Sequence, residues 1–569
     1  TIHPLEIPDW LKSKGDLLLD PATTTPMIFD SLVWLLTEND QRPAAYLEDI
    51  PLLELYSKAA AAGGREKSLA EAIRKVVAAL QSSATGIQKI LDRLTEHERA
   101  FLVDSFKVFL LEEEEAVNRS AAEQDSLQKL SDSLAVRFKD IGPKIDLAGI
   151  LSYQAGVVAA YADLAAWLKE KRSQLLALGD AKLEHYFPEL QTSVGRVAIS
   201  GRGNDHYDGH YALIIDLAGD DEYHLTADAD HHDQVIIDLS GNDTYIAESD
   251  FALGSGFIGC GILDDWQGDD IYRGKHFSLG CGLFGTGILI DRAGNDYYRG
   301  DICSQAAASF GIGLLADRAG DDTYDAKLFS QGFGFIMGIG ALVDNSGNDN
   351  YRAGWKYGDV LRYENHYLSL SQGFGYGLRP HFSGGIGLLI DGDGHDTYNA
   401  DIFGQGASYW WALGGLIDYS GTDRYVAHQY AQGSATHLCL AALVDLAGHD
   451  LYSAKGVSQG CGHDLAFGLL LDCSGDDQYH AYDLSQAAGS ANGVGMLVDL
   501  EGNDGYLVRT KRNTHGYGNP RRDYGSIGLH LDLNGVDTYS GYGADNSYWI
   551  TNSKWGIGAD LTSGETDDK

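Results

Sequence analysis

Aspartate recurs at two fixed positions of a motif, D-x-x-G-x-D-x-Y, that fills the C-terminal two thirds of the chain. In one copy, Gly338–Tyr351, the sequence GIGALVDNSGNDNY holds the pair Asp344 and Asp349. Carboxylate oxygens and turn carbonyls are the ligands that Ca²⁺ prefers. The spacing therefore predicts calcium-type ligands at Asp238, Asp243, Asp291, Asp296, Asp317, Asp322, Asp344, Asp349, Asp391, Asp396, Asp418, Asp423, Asp445, Asp450, Asp472, Asp477, Asp499 and Asp504.

Two explanations of these aspartate columns are open from the sequence. If the copies stack at the strand spacing of about 4.8 Å, equivalent carboxylates repel by about 3.5 kcal/mol at an effective dielectric constant of about 20. In one explanation each Asp accepts backbone N–H bonds within its own turn. In the other, hard cations lie between the copies and neutralise the carboxylates.

Histidines are concentrated near the start of the repeats. The histidines and carboxylates of this stretch are His206, His210, His224, Asp228, Asp230, His231, His232 and Asp233. Imidazole and carboxylate together suit a transition metal, and the candidate ligands are His224, His231, His232 and Asp228. The alternative is a polar surface loop on irregular first copies.

Two insertions interrupt the repeat period and carry candidate ligand-binding residues. The step from Asp344 to Asp391 is 47 residues where 27 is usual, which places an insertion near residues 355–370. The step from Asp499 to Asp532 is 33 residues and places a smaller, basic insertion near residues 508–524. Insertions in repeat proteins often form the binding face. The predicted substrate- or partner-binding residues are Trp355, Tyr357, Arg362, Tyr363, Arg509, Arg512 and Arg521.

Both insertions follow the Tyr of their copy, so we expect them on the same side of the molecule. About six copies separate them, or roughly 30 Å at the strand spacing. At that separation a polymer or a partner protein would contact both insertions, and a small substrate would not.

Candidate acid and base groups lie three residues after the motif Tyr. In neighbouring copies this position holds His428, Lys455 and Tyr482, and His366 in the first insertion is a fourth candidate. A lyase or epimerase acting on a sugar acid needs a base and a cation that neutralises the carboxylate. The alternative is a ladder of cross-strand ion pairs.

The motif recurs with a period that indicates stacked structural units. Its first Asp repeats every 26 or 27 residues over most of the chain, and thirteen copies can be followed, the first of them ending at Tyr207. Within a copy, G-x-G-x-L-x-D predicts a strand, D-x-x-G-x-D a tight turn, and the Tyr a second strand, with a third segment carrying Ser-Gln-Gly. This pattern predicts a right-handed parallel β-helix (β-solenoid) of about 13 coils over residues 196–569.

Residues 1–195 lack the repeat and are predicted to form an all-α domain, which makes the chain an α plus all-β multidomain protein. Helical periodicity covers Met27–Thr37, Pro51–Ala62, Ser68–Ser83, Gly86–Leu111, Ala121–Phe138 and Leu147–Gly179. Thr95 and Glu98 have the spacing of a capping box. Because repeat arrays need a covered end, we expect this domain to cap the first coil, to dock a partner or another copy, or to do both.

The turn sequence G-N-D-x-Y resembles a known calcium-binding repeat. It occurs in Gly241–Tyr245, Gly294–Tyr298 and Gly347–Tyr351, and it is similar to the glycine–aspartate core of the RTX nonapeptide. In that family, paired turns bind calcium outside the cell. The resemblance implies calcium binding by the motif aspartates.

Composition limits the kind of partner. The formal net charge of −40 argues against nucleic acid, because phosphate binding needs clustered Lys and Arg. The longest uncharged helical stretch, Leu147–Ala162, is shorter than a membrane span, so we expect no transmembrane segment. The six cysteines form no C-x-x-C pair, and most are interpreted as small apolar core residues.

Three functions follow as expectations. The first is a secreted or periplasmic, cation-stabilised β-solenoid, its signal peptide removed, that serves as a scaffold or binding protein for glycan or protein partners. The second is a carbohydrate-active enzyme, a lyase or epimerase on acidic polysaccharide. The third is a transition-metal enzyme that uses the histidines of residues 206–233. The sequence leaves open whether the protein is an enzyme.

Overall fold

The computed structural model describes residues 65–111, 121–177, 180, 183, 187–227, 233–359, 361–522, 524–551 and 553–561. A helical region is followed by long, mostly parallel β-sheets with many strands, an architecture compatible with a β-solenoid. The described residues fall into two compact units. The first contains residues 65–111 and 121–320, and the second contains residues 321–561.

Four helices begin the first unit. They are α1 (Arg65–Leu91), α2 (Glu96–Leu111), α3 (Ala121–Ile141) and α4 (Leu147–Leu176). The predicted break between Ser68–Ser83 and Gly86–Leu111 is wrong, because α1 continues through this region. Gly86 is required there, since a Cβ would lie 2.4 Å from the ring of Tyr153 in α4. The predicted helices Met27–Thr37 and Pro51–Ala62 lie outside the described residues.

The capping box before α2 is confirmed. The backbone N–H of Thr95 donates to Oε2 of Glu98 at 2.8 Å, and the Glu98 N–H donates to Oγ1 of Thr95 at 3.3 Å. Lys144 also bonds the Glu98 carboxylate at 2.5 Å. These contacts satisfy the first free N–H groups of the helix and fix where it starts.

Helix α4 packs on one face. Its buried residues include Ile150, Val157 and Leu164, spaced seven apart, and it packs against α1. Among the described helices, α4 alone is long and apolar enough to cross a membrane by length and composition. Since a core helix passes the same test, the absence of a transmembrane segment stays a prediction.

Three sheets continue the first unit. The first sheet consists of Leu190–Thr192, Gly195–Ile199, Tyr211–Asp216, Gln234–Asp238, Cys260–Asp264, Thr286–Ile290 and Ile312–Ala316. The second consists of His206–Gly209, Glu222–Leu225, Thr244–Ala247, Ile271–Arg273 and Tyr297–Arg299. The third consists of Gly256–Phe257, Gly282–Leu283 and Ala308–Ser309. Apart from the antiparallel pair of Leu190–Thr192 with Gly195–Ile199, the registered pairs are parallel.

The second unit repeats this arrangement. Its first sheet consists of Ile339–Val343, Ile386–Asp391, Leu413–Asp418, Leu440–Asp445, Phe467–Asp472, Val494–Asp499, Ile527–Asp532, Gly556–Asp560 and the antiparallel Tyr548–Ile550. Its second consists of Thr323–Ala326, Asn350–Ala353, Thr397–Asn399, Arg424–Val426, Leu451–Ser453, Gln478–Ala481, Gly505–Val508 and Thr538–Ser540. Its third consists of Gly375–Tyr376, Ser408–Tyr409, Ala435–Thr436, Gly462–His463 and Gly489–Ser490, and Leu368–Ser371 pairs with Ile402–Gly404.

Equivalent residues of successive repeats lie side by side. Tyr398 pairs in register with Tyr425, and their buried rings stack with centroids 4.7 Å apart. The first Asp of each repeat is aligned in the same way, as in Asp418 with Asp445. Five of the six cysteines are buried, which confirms their interpretation as core residues, and Cys473 is half-buried.

The glutamines at the Ser-Gln-Gly position of the repeats bond to backbone carbonyl groups. The side-chain amide of Gln405 donates to the carbonyl of Tyr398 at 2.9 Å and to that of Val426, in the next repeat, at 3.0 Å. These bonds hold successive repeats in register.

The helices of the first unit are attached to its strands through Asp264. This fully buried residue accepts hydrogen bonds from the Tyr161 hydroxyl of α4 at 2.8 Å and from the Trp266 indole at 2.9 Å. Arg292 donates two further bonds to it, each 2.8 Å long. Nearby, the hydroxyl of Thr286 donates to Oε1 of Gln154. The carboxylate is thus compensated by a bidentate guanidinium, as a buried charge requires.

Candidate cation sites and a histidine cluster

The first Asp of each motif is buried and held by hydrogen bonds. Oδ2 of Asp445 accepts the hydroxyl of Tyr425, from the preceding repeat, at 2.8 Å, and its Oδ1 accepts the backbone N–H of Ala447 at 3.2 Å. The same tyrosine bond recurs in both units, for instance from Tyr272 to Asp291. The motif Tyr is therefore a donor for the carboxylate of the next repeat as well as a core side chain.

The second Asp of each motif is bonded through one oxygen. The backbone N–H of Asp423 donates to Oδ1 of Asp450 at 2.7 Å, and that of Asp450 donates to Oδ1 of Asp477 at 2.6 Å. The other carboxylate oxygen is buried and has no hydrogen-bond partner among the described residues. This is so for Oδ2 of Asp221, Asp243, Asp270, Asp396, Asp423, Asp450, Asp477, Asp504 and Asp537.

These oxygens form clusters of three carboxylates. In the first unit, Asp221, Asp238 and Asp243 each offer an oxygen within 4.8 Å of the others, and Asp243, Asp265 and Asp270 repeat the arrangement. Each cluster combines the second Asp of one repeat with both Asp residues of the next. Further clusters of metal-ligating side chains occur in the described part of the chain.

The glycine of the turn brings the repeats close together at these clusters. A Cβ on Gly421 would lie 2.1 Å from the carbonyl oxygen of Gly394 and 2.5 Å from both carboxylate oxygens of Asp423. A side chain there would fill the space beside the carboxylate. This close approach explains why the motif has glycine between its two aspartates.

The carboxyl groups of these clusters have raised pKa values. Burial and, after it, the neighbouring Asp418 raise the pKa of Asp423 to about 8. Burial and Asp238 raise the pKa of Asp243 to about 9. For the fully buried Asp418 burial raises the pKa well above its ordinary value, and the charge of Asp445 adds to the effect. Without a counter-charge, these sites hold protons at neutral pH.

The geometry fits a hard divalent cation. Two oxygens bound to Ca²⁺ at about 2.3–2.6 Å are separated by no more than about 5 Å, and the clustered oxygens satisfy this limit. The backbone explanation is confirmed within its own turn for the first Asp, as in Asp445, whose Oδ1 accepts the N–H of Ala447. The second Asp instead accepts an N–H from the preceding repeat, as Asp450 does from Asp423. The cation explanation stays a prediction.

The histidine-rich stretch is described only in part. His206, Glu222 and His224 offer ligand atoms within 4.8 Å of one another on two neighbouring strands. Nδ1 of His224 also lies 3.0 Å from Oε1 of Glu248. The other predicted ligands, Asp228, His231 and His232, lie outside the described residues.

The predicted binding residues of the first insertion differ in exposure. Trp355 is 48% exposed and is available for stacking. Tyr357 is only 2% exposed, so its predicted role in stacking on a ligand is wrong, because a buried ring presents no face to a ligand. Arg362 forms an ion pair with the buried Asp359 and lies over the Phe403 ring.

Tyr363, His366, His428 and Lys455 lie together in the second unit. The rings of His366 and His428 stack with centroids 3.5 Å apart, and the Tyr363 ring contacts both edgewise. Lys455 Nζ donates to the Tyr363 hydroxyl at 3.1 Å. Two more residues complete the cluster. Asp401, which holds the position three residues after the motif Tyr one repeat before His428, lies 2.8 Å from Nδ1 of His366. Gln429, which was not predicted from the sequence, accepts the Tyr363 hydroxyl at 2.6 Å.

The fourth predicted acid–base residue, Tyr482, lies one repeat further on. Its backbone N–H donates to the carbonyl of Lys455 at 3.0 Å, and Arg509 of the second insertion donates to its hydroxyl at 2.8 Å. Tyr363 of the first insertion thus contacts Lys455, and Arg509 of the second insertion contacts Tyr482 in the next repeat. The predicted separation of roughly 30 Å between the insertions is therefore wrong for these two residues. The first loop extends along the repeats and contacts a side chain 92 residues away in sequence.

The rest of the second insertion turns away from this cluster. Arg512 and Arg521 are exposed, and the neighbouring Arg522 pairs with Asp464, which is also 2.6 Å from Nδ1 of His437. A further loop, not predicted from the sequence, lies at residues 377–384. The N–H groups of Gly377 and Gly384 donate to the carbonyls of Tyr409 and Trp411 of the next repeat.

Comparison of the chain with family models, with curated proteins and with solved structures found no match. The similarity of the turn to RTX repeats remains a prediction, and function is inferred from the sites alone.

Proposed function

We propose that the chain is a calcium-stabilised β-solenoid that serves as a scaffold or binding protein. One observation carries this proposal: the second Asp of successive repeats has a buried Oδ2 without a hydrogen-bond partner, within reach of two other carboxylates. An unpaired buried carboxylate is strongly unfavourable. A divalent cation between repeats would remove that cost, with turn carbonyls or water completing its coordination.

Charge balance supports one cation per repeat. Within such a cluster one repeat contributes two buried carboxylates, for example Asp238 and Asp243, and one Ca²⁺ neutralises two carboxylates. Protons are the competing solution, because burial raises the pKa of Asp450 to about 10. Cations and protons therefore compete for the same oxygens.

The proposal also covers the number of coils, their handedness and the position of the calcium sites. The thirteen motif copies would form about 13 coils of a right-handed parallel β-helix, with a calcium column along the corner that carries the D-x-x-G-x-D turn. Sites of this kind suit a secreted or periplasmic protein, because extracellular modules bind calcium at about 10⁻⁴–10⁻³ M.

Partner binding is assigned to the exposed residues of the insertions. Trp355 presents an aromatic ring, and Arg509, Arg512 and Arg521 present cations on an acidic chain. Aromatic and guanidinium groups suit glycan and protein surfaces. Nucleic acid is not a proposed partner, because the net charge of −40 opposes phosphate.

Metal analysis of the purified full chain tests the proposal. After dialysis against calcium-containing buffer, we expect several bound calcium ions per chain. A chelator should remove these ions. Because calcium binds the folded state, each site stabilises it by about 2.7 kcal/mol at a hundred times its dissociation constant. The melting temperature should therefore fall strongly on chelation and recover with added calcium.

Either of two results would contradict this proposal. One is a chain that holds no calcium and melts at the same temperature with and without chelator. The other is stoichiometric zinc, copper or iron in place of calcium, which would favour the transition-metal alternative at His206, Glu222 and His224.

A further inference from the structure

Beyond a scaffold role, we infer that Tyr363, His366 and Lys455 form a proton-transfer site for a polymer of uronic acid, in which Asp401 positions His366. None of these residues belongs to the aspartate clusters, so the inference is independent of calcium. All four lie in the second unit, where the first insertion meets the column that holds His428 and Lys455.

Asp401 selects the tautomer of His366. Its Oδ1 lies 2.8 Å from Nδ1 of His366, and its Oδ2 accepts the backbone N–H of Tyr367 at 2.7 Å. A carboxylate accepts hydrogen bonds, so Nδ1 carries the proton and Nε2 keeps a lone pair. Asp401 is itself only 5% exposed and its backbone N–H donates to Ser369 Oγ at 2.9 Å, which fixes its position. His366 is thereby prepared to act as a base.

Tyr363 is placed as the proton donor. Its hydroxyl accepts from Lys455 Nζ at 3.1 Å and donates to Oε1 of Gln429 at 2.6 Å. The ammonium group also lies 4.3 Å from the centre of the Tyr363 ring. A cation beside the phenol stabilises the phenolate that remains after the proton has left.

His428 places an uncharged imidazole ring against His366. It stacks on His366, its Nε2 is buried without a partner, and burial followed by the charges of His366 and Lys455 lowers its pKa to about 4. A neutral ring here lets His366 accept a proton without facing a second imidazolium.

Lys455 distinguishes an anionic ligand from a metal ion. His366, Asp401 and His428 have the spacing of a metal site, but the ammonium of Lys455 is close enough to disfavour a positive charge on His428. The same charge attracts a carboxylate. Arg509, two repeats beyond Lys455, donates to the Tyr482 hydroxyl and adds a second positive group along the surface. A polymeric anion could contact both groups.

The step is a β-elimination that needs no further reactant. The C–H bond next to the sugar carboxylate breaks, and its proton goes to Nε2 of His366. The electron pair forms a carbon–carbon double bond as the glycosidic oxygen on the adjacent carbon leaves. That oxygen takes the proton of the Tyr363 hydroxyl, while Lys455 neutralises the charge that develops on the carboxylate.

Incubation of the full chain with polygalacturonate, alginate and hyaluronan in separate reactions tests this inference. We expect at least one polymer to gain unsaturated ends, seen as ultraviolet absorbance of the new double bond. His366→Gln, Tyr363→Phe and Lys455→Met should each lower the rate about a hundredfold or more. Lys275→Met is the matched control, because Lys275 occupies the same motif position in another repeat, and it should leave the rate unchanged.

Asp401→Asn separates positioning from a merely structural role. An amide can donate to Nδ1 and so reverses the tautomer; we expect a lower kcat, an unchanged KM and an altered pH profile, with normal melting. Three results overturn the inference: no double bond in any of the three polymers, full activity of His366→Gln, or tight Zn²⁺ binding by the cluster with no effect on the polymers. Since calcium content is measured separately, failure here leaves the scaffold proposal standing.

Discussion

The backbone N–H of Asp423 donates to Oδ1 of Asp450 in the next repeat at 2.7 Å, and Oδ2 of Asp450 is left buried without a partner. One carboxylate thus joins two repeats through one oxygen, and its other oxygen is the one proposed above as a cation ligand. Four predictions follow from contacts of this kind.

Asp450→Asn should have opposite effects with and without calcium. The amide oxygen still accepts the N–H of Asp423, but the buried charge and one anionic ligand are lost. Without calcium the variant should melt above the parent at neutral pH, because the Asp450 carboxyl, with its raised pKa, must take up a proton on folding and an amide need not. With calcium, its gain in melting temperature should be smaller than that of the parent.

Asp393→Asn is the matched control, since Asp393 is exposed in a turn of the same unit and accepts from the Ser420 hydroxyl at 3.0 Å. This variant should have the same melting temperature as the parent without calcium and the same gain in melting temperature with calcium. Equal calcium responses of Asp450→Asn and the parent would contradict a ligand role for Asp450.

The calcium-free protein should lose stability as the pH rises. The pKa of Asp423 is about 8 in the folded chain and about 4 when unfolded, so between these values the folded state holds the extra proton. The free energy of unfolding then falls by about 1.4 kcal/mol per pH unit for each such carboxyl.

Urea unfolding at pH 5 and pH 8 measures this effect. With chelator the midpoint should be lower at pH 8, and saturating calcium should remove or reverse the difference because the ion replaces the proton. A chelated protein that is more stable at pH 8 than at pH 5 would refute the assignment of the raised pKa values.

Gly421→Ala should destabilise the second unit. Its Cβ would lie 2.1 Å from the Gly394 carbonyl oxygen and 2.5 Å from both Asp423 carboxylate oxygens, so the repeats must separate, at about 2 kcal/mol or more. Gly156→Ala in α4 is the control, because nothing lies within 4 Å of its Cβ and alanine favours a helix by up to about 1 kcal/mol. Thermal melting that ranks the two variants in reverse order would show that the turn relaxes freely.

Asp264→Ala should weaken the attachment of α4 to the strands. It leaves the Arg292 guanidinium, the Tyr161 hydroxyl and the Trp266 indole without their shared acceptor, a loss of about 3–5 kcal/mol for a buried ion pair. The control, Asp269→Ala, removes an exposed carboxylate of the same repeat. Hydrogen exchange should increase in α4 for the first variant and stay unchanged for the second, and unchanged protection in both would disprove the anchoring role.

The repeat made the strands and turns predictable. Asp418 and Asp445 are 27 residues apart and pair in register, as the fixed period requires. The capping box at Thr95 and Glu98 was predictable for a similar reason, because its bonds span three residues. Local and periodic contacts are encoded in spacing, and spacing is visible in a sequence.

The departures from periodicity were less predictable. Nothing in the spacing indicates that Tyr357 is buried while Trp355 is exposed, or that Asp264 binds a helix about a hundred residues earlier in the chain. These contacts occur once each, between segments whose separation follows no rule.

The sequence by itself determined the columns: which residues repeat, that their side chains stack, and that two aspartates per repeat lie at one corner. Only the tertiary structure decided which carboxylate oxygen bonds the backbone and which has no hydrogen-bond partner among the described residues. It also decided that Tyr363 meets Lys455, 92 residues away. The physical reason is that a period specifies neighbours along the stack, whereas an inserted loop finds its contacts by packing, which depends on the whole surface it meets.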